Sequence, residues 1–108
     1  DKVALRRLEQ YNKKKLTAAT RRATSEVFSV ISGLLRDALA QRNAAAGLVL
    51  NVDALDFITR IATCVTPEGA RRGQEAIALS RQRLAQNVGV QLILETLLFK
   101  VREVLTCQ

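Results

Sequence analysis

The chain has no histidine and no tryptophan, and only one proline, one tyrosine, three phenylalanines and two cysteines among 108 residues. Without histidine the commonest general base and the commonest nitrogen ligand for a metal are both missing. Cys64 and Cys107 are too few for a disulfide scaffold and belong to no Cys-x-x-Cys pair. They are expected as reduced thiols in a cytoplasmic protein. No Gly-x-x-x-x-Gly-Lys-Ser/Thr loop is present to cradle a nucleotide phosphate. No apolar run approaches the roughly 20 residues that span a bilayer, and no signal-peptide pattern opens the chain. Nothing here supports catalysis or implies a cofactor, a metal or a small-molecule substrate. The chain begins at Asp1 rather than Met, so it reads as a piece of something longer.

What is present favours helix. Ala and Leu dominate, and few Gly or Pro break the pattern. From Val3 to Arg42 apolar residues recur in steps of three, four or a multiple: Leu5, Leu8, Leu16, Ala19, then Ala23, Val27, Val30, Leu34 and Ala38. This is one long helix, or two nearly collinear ones meeting near Thr17–Thr24, with a solvated first half. Gly33 sits inside a strong apolar pattern (Val27, Phe28, Ile31, Leu34, Leu35 and Leu39) and reads as a place where another helix comes close. Asn43 to Leu50 is a link, with Gly47 as the helix stop. Asn51 or Asp53 then caps a helix carrying Leu55, Phe57, Ile58, Ile61, Ala62 and Val65. Thr66-Pro67-Glu68 starts a third helix reaching Gln86: a capping hydroxyl, a proline in the first turn and an acid at the positive end of the dipole. Its arginines, Arg71, Arg72, Arg81 and Arg83, are expected in water. Asn87 caps a last helix from Val88 to Leu105, apolar nearly all round and expected near the centre of the bundle or against two neighbours at once. The fold class is therefore all-α: a small antiparallel bundle of about four to five helices with a long first helix.

Two features bear on function. Residues 1–22 hold eight Lys/Arg against Asp1 and Glu9, which is +6 of the chain's +7. Lys13, Lys14, Lys15, Arg21 and Arg22 could touch phosphates, although no aromatic residue after Tyr11 interleaves them as a base-stacking platform would. The second feature is Glu95, the only charge between Val88 and Phe99. Its helical neighbours at three and four residues, Gln91, Leu92, Leu98 and Phe99, include no cation. An ion partner must come from another helix, with Arg36 the leading candidate, or from another chain.

The sequence also resembles a known family. Leu84-Ala85-Gln86-Asn87-Val88 followed by Leu92-Ile93-Leu94-Glu95-Thr96-Leu97-Leu98 is similar to the last collar helix of bacterial DNA polymerase III clamp-loader subunits. Leu34-Leu35-Arg36-Asp37-Ala38-Leu39 resembles the Leu-Arg-Asp of that family's first collar helix, and Asn51-x-Asp53 its inter-helix link. The basic lead-in from Lys13 to Thr24 looks closer to the delta-prime subunit than to gamma/tau. The resemblance implies one helical collar domain over residues 1–108, with residues 1–22 a basic lead-in and AAA+-like domains upstream of this piece. It implies partners, the other clamp-loader subunits (delta, gamma/tau), a cytoplasmic replisome location, and no catalysis in this domain. Arg36, Asp37, Asn87, Leu92, Glu95, Leu98, Phe99 and Arg102 are the candidate interface or helix-anchoring residues. The alternative is a small nucleic-acid-binding domain working through residues 1–22.

Overall fold

A computed structural model describes residues 1–43 and 52–106. Four α-helices follow one another: α1 (Lys2–Arg42), α2 (Leu55–Ala62), α3 (Pro67–Ala85) and α4 (Val90–Val104), with a 3-10 turn at Val52–Ala54 before α2. No strand occurs among the described residues. The all-α bundle with its longest helix first agrees with the sequence reading. The expected link at Asn43–Leu50 and the cap at Asn51 lie almost wholly outside the described residues, which include only Asn43 of that stretch.

α1 is one helix of 41 residues, not two. Asp1 caps it, its carboxylate accepting from the Val3 N–H at 2.9 Å. The threonines where a break was conceivable stay helical. The hydroxyls of Thr17, Thr20 and Thr24 donate back to the carbonyls of Lys13, Leu16 and Thr20 at 2.8–2.9 Å, so each polar group is satisfied inside the helix. A straight helix of this length spans about 61 Å. The molecule's longest dimension is 65 Å, so α1 sets the long axis.

α3, not α4, is the central element: it packs against both α1 and α4. Of the two expectations for α4, the place at the centre is not met, since Leu92, Leu98 and Phe99 are exposed, and side-chain volume explains why α3 takes that place. The inner face of α3 is built from small residues, Ala70 and Gly73 among them, so two helices can approach it. At Gly73 even a Cβ would come within 2.6 Å of the Leu35 Cδ1 on α1. One half of the core joins Phe28 and Leu35 of α1, Ile77 of α3, and Ile93, Leu97 and Val104 of α4. The other joins Ala38 of α1, Ile58 and Ala62 of α2, Val65, and Ala70 of α3. Leu105 packs against both.

α3 begins as its sequence signals. Thr66 Oγ1 accepts from the Gly69 N–H at 2.9 Å, with proline in the first turn. Arg71 and Arg81 are exposed as expected, while Arg72 and Arg83 are half-buried. Arg81 lies over the Phe28 ring, 5.6 Å from its centroid, and donates to the hydroxyls of Ser25 and Ser29. Arg72 reaches Glu103 on α4 at 3.5 Å, while Arg71 bridges Glu68 and Glu75 on its own helix. α2 departs from expectation at its start: Ala54 occupies the N-cap and makes no side-chain bond, because the 3-10 turn places Asp53 one residue too early. Cys64 is disulfide-bonded, which overturns the expectation of a reduced thiol there. Spacing in the chain says nothing about distance across the fold. Cys107 lies outside the described residues.

Candidate functional site

The turn between α3 and α4 is built by Asn87. Its φ of 62° lies in the left-handed region, which asparagine tolerates better than most residues. Val88 N–H donates to Arg83 O and Asn87 N–H to Leu84 O, the paired bonds that close a helix C-terminus. Asn87 thus ends α3 rather than capping α4. Gly89 occupies the α4 N-cap and makes no side-chain bond. The Asn87 side chain faces the other way, accepting from Arg21 Nη1 at 2.8 Å, while Arg21 Nη2 donates to Leu84 O. A cation at a helix C-terminus complements the dipole, and Arg21 adds a second donor to the Leu84 carbonyl that already accepts from Asn87. Arg21 therefore ties α1 to the α3–α4 turn.

The remaining basic residues are not gathered. Lys13, Lys14, Lys15 and Arg22 are all exposed. Successive helical residues point about 100° apart. Lys14 shares a side with Arg21, Lys15 shares another with Arg22, and Lys13 faces a third. The helix carries a belt of charge with no single basic face.

α4 buries one side only. Ile93, Leu97 and Val104 are in the core, with Leu94, Val101 and Leu105 half-buried beside them. Leu92, Glu95, Phe99 and Arg102, spaced three, four and three apart, form a stripe on the opposite side, with Leu98 at its edge. Leu92 is 61% exposed, Leu98 54% and Phe99 71%. Next to Phe99 a groove of about 350 Å³ runs between α3 and α4, bordered by Leu79, Arg83 and Lys100. Glu95 is exposed and accepts from Gln91 Nε2 at 3.1 Å. The expected pair with Arg36 does not form. Arg36 instead holds the neighbouring Asp37 at 3.1 Å, whose side chain is fully buried. The physical reason is direction: Glu95 sits on the α4 side facing away from the bundle, so none of the described helices reaches it. The sequence signal is correct that no cation lies three or four residues away, but it overlooks a neutral amide as a local donor.

Among the described residues no group of His, Cys, Asp or Glu could hold a metal ion, and no helix is long and apolar enough to cross a membrane. The outward side of α4 carries aliphatic and aromatic side chains flanked by single charges.

Comparison with known proteins gives one finding. The family described as "DNA polymerase III, delta subunit, C terminal" matches residues 3–103, nearly the whole chain. No curated protein and no solved structure matches the chain.

Proposed function

The chain belongs to the family formed by the C-terminal domains of DNA polymerase III delta subunits, and on that premise we propose that it joins its parent protein to neighbouring clamp-loader subunits through the outward face of α4. As a member of this family it is a non-catalytic collar module serving DNA replication. The finer reading is that residues 1–108 form one collar domain, that Leu92, Leu98 and Phe99 enter a neighbour's surface, and that Glu95 and Arg102 set its orientation. The observation that supports it is the exposure of those three large apolar side chains on one helix. Large apolar patches rimmed by charge are typical of protein–protein contacts, and a buried aromatic anchor carries much of the energy in such contacts. Arg36, Asp37 and Asn87 then act as anchors within the domain. The basic lead-in supports the delta-prime reading over gamma/tau. The replisome in the cytoplasm is the corresponding location.

The test is to mix the domain with delta and gamma/tau subunits and follow co-elution on a sizing column. Association is expected, and Phe99→Asp should abolish it while leaving the thermal unfolding midpoint unchanged. A folded domain that never associates, or a Phe99→Asp variant that associates normally, would remove the α4 face from the reading.

A further inference from the structure

α1 carries a second uncovered surface, on a different helix from the one proposed above. Leu5, Leu16 and Val27 are eleven residues apart, as are Leu8, Ala19 and Val30. The third row at the same spacing is Asn12, Ala23 and Leu34. Together they form a stripe with steps of three, four and four. Eleven residues are three turns of 3.67 residues, close to the 3.6 of a relaxed α-helix, so the stripe drifts only about 20° per repeat. From Leu5 to Val30 it runs about 38 Å.

The stripe is exposed along that whole length. Leu5 is 56% exposed, Leu8 55%, Leu16 68% and Val30 60%. This holds even beside the bundle. There α1 turns Thr24, Phe28 and Leu35 inward and leaves Val27 and Val30 outside. α1 therefore has two apolar faces, and its own chain covers one of them.

The charges beside the stripe select the occupant. Lys2, Arg6 and Lys13 border one side, and Lys15 and Arg22 the other, all exposed; Glu9 and Glu26 are the acidic exceptions. A second copy of the chain would set the +6 segment against another +6 segment if parallel, or Lys13–Lys15 near Arg21–Arg22 if antiparallel. Like charges across a helical seam oppose pairing. Duplex DNA would match the charge but leave the apolar stripe in water. We propose that the stripe on α1 binds a straight amphipathic helix of another protein, whose apolar residues repeat at the same eleven-residue spacing and are bordered by Asp and Glu. Asn12, the polar position in the seam, sets the register, since an apolar residue facing it would leave its amide unpaired.

The probe is a synthetic 33-residue helical peptide with leucines at the three-four-four spacing over three repeats, glutamates on both flanks and a fluorescent end label. Binding to the full chain is read by anisotropy. The expected result is saturable binding that weakens at least tenfold in Leu16→Asp and in Leu8→Asp, weakens with added salt, and vanishes when the flanking glutamates become lysines. Both positions are exposed, so circular dichroism should show the bundle unaltered. No binding to the folded chain overturns the proposal, as does equal binding by the two variants. Dimerisation of the chain that Leu16→Asp abolishes, seen by sedimentation, assigns the stripe to a second copy and overturns it too. So does duplex DNA binding that is tighter than the peptide's and lost in the same variant.

Discussion

The two halves of α1 share one helix and almost nothing else. From Lys2 to Thr20 every residue is exposed; from Arg21 onward Thr24, Phe28, Leu35 and Ala38 are buried. Most helical stability in proteins comes from tertiary packing rather than propensity, so the first half, with no buried residue, depends on continuity with the second. Tertiary packing holds residues 21–42, while propensity and a cap at Asp1 support residues 2–20. The difference separates what a sequence pattern can show from what only packing decides.

The sharpest way to break it is to truncate one apolar side chain in each half. Phe28 is 0% exposed. Phe28→Ala should cost about 3–5 kcal/mol in denaturant unfolding, through lost burial and the cavity left behind. Leu8→Ala, on the projecting half, should stay within about 0.5 kcal/mol. Similar costs at both positions would mean that the first half packs on something in the isolated chain. Amide exchange offers the same contrast without mutation: protection should be low up to Thr20 and rise through residues 24–38.

Gly73 tests how tightly the packed half is held. A Cβ there meets the buried Leu35 side chain at 2.6 Å. Overpacking of this kind costs about 1–3 kcal/mol, and replacing a mid-helix glycine by alanine returns up to about 1 kcal/mol of helix propensity. Gly73→Ala should therefore lower stability by about 1 kcal/mol, measured by urea unfolding. A gain in stability would show that Leu35 moves aside freely and that α1 and α3 are less closely fitted than their separation implies.

Arg21 marks the boundary between the halves. Its bonds to Asn87 and Leu84 join α1 to the α3–α4 turn. Arg21→Ala should cost about 1 kcal/mol by thermal or urea unfolding. Lys14→Ala, on the same side of α1 but free in solvent, should cost nothing measurable. If the two substitutions behave alike, the boundary lies elsewhere.

How much of this is legible in the sequence follows the same division. Thr66-Pro67-Glu68 reads correctly because a cap, a proline and an acid all act locally. Asn87 misleads because asparagine suits both an N-cap and a left-handed C-terminal position, and the choice depends on which carbonyls lie behind it. The long stripe from Leu5 to Val30 and the apolar group around Gly33 that holds Phe28 and Leu35 are both visible as patterns, yet only packing shows that the second is the core. Periodicity shows that a face exists without naming what covers it. Glu95 teaches the converse: its lack of a cation nearby is legible, but its outward direction requires the position of α4 on the bundle's rim. The disulfide at Cys64 has no local signal at all.

The smallest expected effect belongs to the exposed charges of α3, and it sets a scale for the others. The Arg71 guanidinium, hydrogen-bonded to Glu68, holds the Glu68 carboxyl below its ordinary value. A carboxyl depressed in the folded state stabilises that state above its unfolded pKa, near 4.3, and the contribution fades as pH falls through the depressed value. The melting temperatures of the parent and Arg71→Ala should therefore differ most near neutrality and converge on acidification. Added salt should shrink the gap, because the pair lies in water. The gap between the parent and Phe28→Ala should respond to neither, since it comes from apolar burial. A gap at Arg71 that persists unchanged at about pH 2.5, where carboxylates are protonated, would show that the guanidinium supports α3 by packing its aliphatic stem rather than through its charge.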